Sequence, residues 1–140
     1  MTTSIDSNVL ATLWDKDDEA NIPVRNRLDE LDLISSLIVS GPVYGELYGA
    51  PGRTSEELDR FFTRMGIGIE WEMGESVWRV AGEAFRGYNQ RRTSGKSGPP
   101  KKLLTDFIIG AHAMVHGYDV FTLDNRHFRA AFPQLRLVRP

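Results

Sequence analysis

Cysteine is absent from all 140 residues. That removes disulfides, thiolate metal sites and a cysteine nucleophile from consideration together, and a reducing compartment is expected. Long apolar runs are missing too: none approaches the roughly 20 residues a membrane span requires. The opening "MTTSIDSNVL" lacks the basic start and apolar stretch of a secretory signal, so a cytoplasmic location without membrane contact is expected. An excess of either charge is nearly absent, the net value being −2, and overall charge therefore names no partner. Internal repeats and low-complexity tracts do not occur. What remains is an ordinary globular composition, 41% hydrophobic and 26% charged. At this length it suits a single domain, residues 1–140, with a substantial core.

Charge is unevenly placed. Residues 15–32 hold Asp15, Asp17, Asp18, Glu19, Asp29, Glu30 and Asp32. No acid occurs between Ala84 and Thr105, where Arg86, Arg91, Arg92, Lys96, Lys101 and Lys102 fall, and Arg126, Arg129, Arg136 and Arg139 follow near the end. A basic zone on a near-neutral chain suits a polyanion such as RNA or an acidic protein surface, and also a plain solvated loop.

Short apolar runs alternate with amphipathic segments. "TTSID", a run around Leu37–Ser40, "GIGIEW", "DVFTL" and "LRLV" read as strands, the last the weakest. Helices are expected over "SNVLATLW" with Ser7 or Asn8 as cap, "VYGELYGA" with Pro42 in its first turn, and "TSEELDRFFTRM" capped by Thr54 or Ser55. Two more are expected over "GESVWRVAGEAFRGYNQRR" and from about Leu103 to His116, the latter stopped by Gly117. "TSGKSGPP" reads as a loop. Alternation of this kind predicts an α/β fold whose parallel sheet is covered by helices, with sites beyond the carboxyl ends of the strands.

The segment "LLTDFIIGAHAMVHGYDVFTLDNRHF" is apolar yet carries Asp106 and Asp124 near its ends. On an ideal helix Leu104, Phe107, Ile108, Ala111 and Val115 form one stripe, with Asp106 opposite its middle. Gly110 and Ala113 lie behind Asp106, where a solvated face would carry charge; small residues there predict a helix buried on two sides and approached closely by another backbone. Each aspartate alone also suits a helix cap or turn. Asp6, Asp106 and Asp124 all fall where one sheet edge is expected, and converging carboxylates need either a proton or a cation between them. An oxygen-rich, cysteine-free cluster favours Mg²⁺ or Mn²⁺.

Three blocks carry a family resemblance: "SIDSNVL" at the start, "VYGEL" a third of the way along, and "TDFIIGAHAMVHGYDVFTLDNRHF". Together they resemble PIN-domain ribonucleases, and more narrowly the VapC-type toxins of bacterial toxin–antitoxin pairs, over essentially the whole chain. The resemblance implies a three-layer α/β/α fold with a central, mainly parallel sheet of four to five strands. It implies an acidic quartet of Asp6, Glu46, Asp106 and Asp124 around one or two Mg²⁺ or Mn²⁺ ions. In that scheme Asp6, Asp106 and Asp124 hold metal, Glu46 orients water or ligates through it, and Ser7 and Thr122 support the acids. Where some relatives carry a further acid after Asp124, this chain has Asn125, Arg126 and His127. The implied activity is endoribonucleolytic hydrolysis by activated water, leaving a 5′-phosphate and a 3′-hydroxyl. The implied partners are RNA, a cognate antitoxin and a second copy of the chain. Arg91, Arg92, Lys96, Lys101 and Arg126 are the candidate RNA contacts.

Competing motifs are weaker. "GKS" at 95–97 has Gln90 where a phosphate loop needs glycine, and no nucleotide cofactor is expected. His112 and His116 stand at zinc-pair spacing, but the HExxH glutamate is missing and no third ligand is evident, so packed or interface histidines are expected. His127 suits a phosphate or substrate contact. Trp14, Trp71, Trp78, Phe61, Phe62, Tyr44 and Tyr48 suit base stacking, a core or a subunit contact. An aspartyl phosphatase would want a second Asp at position 8, which is Asn8. A non-catalytic RNA- or protein-binding module is the other alternative, though none of the four acids is missing.

Overall fold

The computed structural model describes residues 1–93 and 101–140; Lys96, the "GKS" stretch and nearly all of the "TSGKSGPP" loop lie outside the described residues. Among these described residues five strands, β1 (Thr2–Ile5), β2 (Ser36–Ser40), β3 (Gly68–Glu70), β4 (Asp119–Phe121) and β5 (Leu137–Val138), form one sheet in the order β3-β2-β1-β4-β5. Every pairing is parallel, with Ser4 opposite Ile38 on one side and Val120 on the other. Central parallel strands are covered on both faces, and Ile5, Val39, Val120 and Phe121 are fully buried accordingly.

Among the described residues seven helices cover the sheet: α1 (Ser7–Ala11), α2 (Asn21–Asp32), α3 (Gly41–Gly49), α4 (Ser55–Met65), α5 (Glu75–Thr93), α6 (Leu104–His116) and α7 (Asn125–Ala131). A 3₁₀ turn, Thr12–Trp14, extends α1. The result is the expected three-layer α/β/α arrangement with a five-stranded sheet. Thr54 caps α4 through Oγ1, which accepts from the Glu57 amide at 3.1 Å. Gly66 and Gly117 end α4 and α6 in the left-handed conformation, at φ 68° and 72°. In α5, Val77 and Ala81 reach the core, with Val80 and Ala84 partly buried against it.

Several expectations need correction. Neither Ser7 nor Asn8 caps α1. The cap position is Asp6, whose carboxylate makes no capping bond, while the Asn8 Oδ1 accepts from the Leu123 amide at 3.2 Å. Helices α2 and α7 were not expected. Val24, Leu28 and Leu31 are buried at helical spacing inside the acidic stretch, and Pro23 sits in the first turn, where it does no harm. Helix α6 is buried on all sides from Phe107 to Ala113, but its expected stripe ends in Leu104 and Val115, which are 39% and 40% exposed. The neighbour that requires Gly110 is the ring of Phe132, not a backbone.

Candidate active site

The strand order places a topological switch between β1 and β4, since the chain builds outward from β1 on one side and from β4 on the other. Ligand sites of open parallel sheets form in the crevice at such a switch. Asp6 leaves β1 there and continues the ladder, its amide donating to the Phe121 carbonyl at 2.9 Å. Thr122 leaves β4 alongside. Its hydroxyl donates to Asp6 Oδ2 at 2.8 Å and accepts from the Asp124 amide at 2.9 Å. One threonine thus fixes two of the acids.

Glu46 comes from the outer side of α3, the helix after β2, and is joined to Asp6 by Ser7. The Ser7 hydroxyl lies 3.2 Å from Glu46 Oε1 and 3.5 Å from Asp6 Oδ1. Asp106 stands in the first turn of α6, and its Oδ2 accepts from the Leu103 amide at 2.8 Å, satisfying one of the free donors at the helix start. Asp124 is both a cap and an ion-pair partner. Its Oδ1 accepts from the His127 amide at 3.2 Å, capping α7, while Oδ2 meets the Lys102 ammonium. Among the described residues no three of these acids bring carboxylate oxygens within 4.8 Å of one another. The four line one crevice without closing on a single point.

The electrostatics record what this costs. Asp6 is only 7% exposed, and burial pushes its carboxyl above the ordinary value, with the charges of Asp106 and Asp124 adding to the effect. Hydrogen bonds from Thr122 and the Ser7 amide offset part of it. Glu46 belongs to an exposed turn, yet lost hydration at its carboxylate also raises its pKa, and Asp6 and Asp106 repel it further. Asp124 goes the other way: burial alone would raise it, but the Lys102 hydrogen bond, the His127 amide and the Lys102 charge outweigh that and lower it. For Lys102, burial is likewise outweighed by Asp124, with Asp106 and Asp6 behind, and the ammonium is raised.

Among the described residues the four carboxylates outweigh the Lys102 ammonium and leave the crevice formally negative. That excess, presented by oxygen atoms alone, suits a hard divalent cation.

Sequence reasoning placed Lys102 in the basic zone but not in the site. The signal was its position four residues before Asp106, on the extended approach to α6. The Tyr88 hydroxyl holds that approach by accepting from the Lys101 and Lys102 amides at 3.0 and 3.1 Å. Arg91, Arg92, Arg126, Tyr88 and His127 line a groove that runs to Lys102 and Asp124. Lys101 is exposed beside it. His127 is buried, with Nε2 3.3 Å from the Asp106 carbonyl, and burial lowers its pKa, keeping the ring neutral. It ties α7 to the start of α6. Phe62 is core, whereas Trp71, Trp78 and Tyr48 are exposed and Trp14 packs on Phe61 beneath Arg53.

The profile of the PIN domain family matches residues 4–133. The chain belongs to the PIN-domain family. No curated protein sequence matches it. Among solved structures this PIN domain is similar to VapBC2 from Rickettsia felis bound to a DNA fragment from its promoter, with a TM-score of 0.71 and 21% identity over 99% of this chain and 98% of that one. FitAcB from Neisseria gonorrhoeae gives 0.66 and 20%, covering 97% and 96%. DNA-bound VapBC from Salmonella typhimurium gives 0.66 and 20%, covering 99% and 98%. At these identities the likeness establishes the fold. Among the described residues of this PIN domain, no helix is long and apolar enough to cross a membrane.

Proposed function

We propose that this PIN domain, as one unit over residues 1–140, is a metal-dependent endoribonuclease acting as the toxin of a VapC-type toxin–antitoxin pair. The observation that carries the reading is the crevice at the β1/β4 switch, where buried Asp6 is held by Thr122 and faces the like charges of Asp106 and Asp124. Asp6, Asp106 and Asp124 would hold Mg²⁺ or Mn²⁺, which supplies neutralisation of phosphodiester charge and acidification of water.

The protein's own groups do the rest. Thr122 fixes the Asp6 carboxylate and, through the Asp124 amide, the start of α7. Glu46, with its raised pKa, is suited to take a proton from the attacking water, and Ser7 keeps it beside Asp6. Lys102 neutralises Asp124 when no substrate is present and offers its ammonium to a scissile or adjacent phosphate when one arrives. Arg91, Arg92 and Arg126 carry the RNA backbone along the groove toward the acids. The similar structures include toxin–antitoxin complexes, which supports an antitoxin as partner of this chain as well. Tyr48, exposed on the helix that bears Glu46, and Trp71, exposed beside that helix, are suited to be covered in such a complex or in a homodimer.

End-group analysis of the cut RNA tests the reading. Hydrolysis by activated water leaves a 5′-phosphate and a 3′-hydroxyl. A 2′,3′-cyclic phosphate with a 5′-hydroxyl would mean attack by the ribose, for which these carboxylates are not needed, and would sink the proposal.

A further inference from the structure

A second cluster of metal-ligating side chains lies apart from the acids. Glu70 ends β3 at the edge of the sheet, and His112 and His116 lie one turn apart on α6. One donor atom from each falls within 4.8 Å of the other two. His112 follows Asp106 by six residues, about 9 Å along the helix and on another face, so this cluster is distinct from the crevice.

Two observations point to a ligand here. His112 is completely buried, and among the described residues neither ring nitrogen has a well-directed hydrogen-bond partner. Its Nε2 lies 3.0 Å from Glu70 Oε1, but out of line for a hydrogen bond, as two donors aimed at a third point would be. A buried imidazole left without a partner is destabilising, and His112 stands where a metal would supply one.

The surroundings are those of a supported site. The Tyr118 hydroxyl donates to the Glu70 carboxylate, 2.9 Å from Oε2 and 3.1 Å from Oε1, and the Tyr118 ring stacks on His116 at 20° and 5.4 Å. Outer groups that orient a carboxylate and an imidazole in this way are typical of metal centres. His116 is exposed, so an ion has a way in and a solvent position remains open.

We propose that Glu70, His112 and His116 form a site for a first-row transition metal of the Zn²⁺ class, clamping the edge strand β3 to α6. Two imidazoles and one carboxylate with water in fourth place form a known zinc donor set, and hard Mg²⁺ is a poor match for it. Tetrahedral donors about 2.0–2.1 Å from zinc stand roughly 3.3 Å apart. The site does not depend on the nuclease reading.

The test is zinc binding by untagged protein, followed by calorimetry and by thermal melting, with Mg²⁺ in large excess to occupy the acidic crevice. Wild type should take up one Zn²⁺ and melt higher with it. His116→Ala, at an exposed position, and Glu70→Gln should fold but lose the saturable binding and the rise in melting temperature. Co²⁺ in wild type should give the intense visible band of a four-coordinate centre, and His116→Ala should not. No saturable Zn²⁺ binding by wild type, or equal binding by both variants, would overturn the proposal.

Discussion

Asp6→Asn should make the metal-free protein more stable while removing its response to Mg²⁺. The carboxylate is almost wholly buried, is held by one hydroxyl and one amide, and faces two like charges. An incompletely paired buried ion carries an effective penalty of several kcal/mol, of which the hydrogen bonds recover about 1.5–3. Asn keeps an oxygen for the Thr122 hydroxyl and carries no charge, so the net gain is roughly 1–3 kcal/mol. Unfolding entropy of about 2.1 cal/mol/K per residue, over 140 residues, gives about 0.3 kcal/mol per degree. The variant should therefore melt about 3–10 °C above wild type in EDTA. Mg²⁺ at a hundred times its Kd stabilises the wild type by about 2.7 kcal/mol, or about 9 °C, and should leave Asp6→Asn nearly unmoved. Differential scanning calorimetry with and without metal measures both. A variant less stable than wild type in EDTA, or one with a full Mg²⁺ shift, would refute the reasoning.

Lys102→Met should cost about 1 kcal/mol near neutral pH, since the pair with Asp124 is about a third exposed and partly screened. Asp124 is lowered in the fold, so its share of that stability is present above the ordinary carboxylate pKa and lost as pH falls through its folded value. Lys102 is raised, so its share is lost as pH rises through the folded ammonium value. The gap in melting temperature between the two proteins should therefore narrow below about pH 4 and again at strongly alkaline pH, and a gap independent of pH would contradict the assignment. Gly110→Ala should destabilise by about 1–3 kcal/mol because its methyl would overlap the Phe132 ring, and Phe132→Leu in the same chain should recover part of the loss in urea titrations. Replacing Arg91 and Arg126 by Ala should weaken RNA binding and flatten the slope of log K against log salt by about 0.7 for each phosphate no longer neutralised. An unchanged slope in a filter-binding series would remove the groove from the RNA path.

The legible parts of the chain were those where local chemistry and fold agree. Asp6, Asp106 and Asp124 sit where a strand ends or a helix starts, and the three-block pattern around them is long enough to be specific. Strand β3 followed from the apolar run in "GIGIEW", and the glycine stop at Gly117 from turn chemistry. Helix α2 was hidden because seven acids in residues 15–32 masked the spacing of Val24, Leu28 and Leu31. The exposed ends of the α6 stripe show how far tertiary packing departs from an ideal helical wheel. Lys102 and Glu70 could not be paired with their partners from sequence. Their contacts with Asp124 and His112 span 22 and 42 positions, distances closed only by the sheet order and the α5–α6 packing.

The most direct test of the central claim is cleavage of total bacterial RNA by the purified chain in Mg²⁺, beside EDTA and beside Asp106→Asn. Asp106 caps its helix through the Leu103 amide, a bond that Asn also makes, so the variant should fold. Discrete fragments from the wild type that disappear with chelator and fall at least a hundredfold in the variant are the expected result. Equal cleavage by wild type and Asp106→Asn would show that the acidic crevice is not where the RNA is cut.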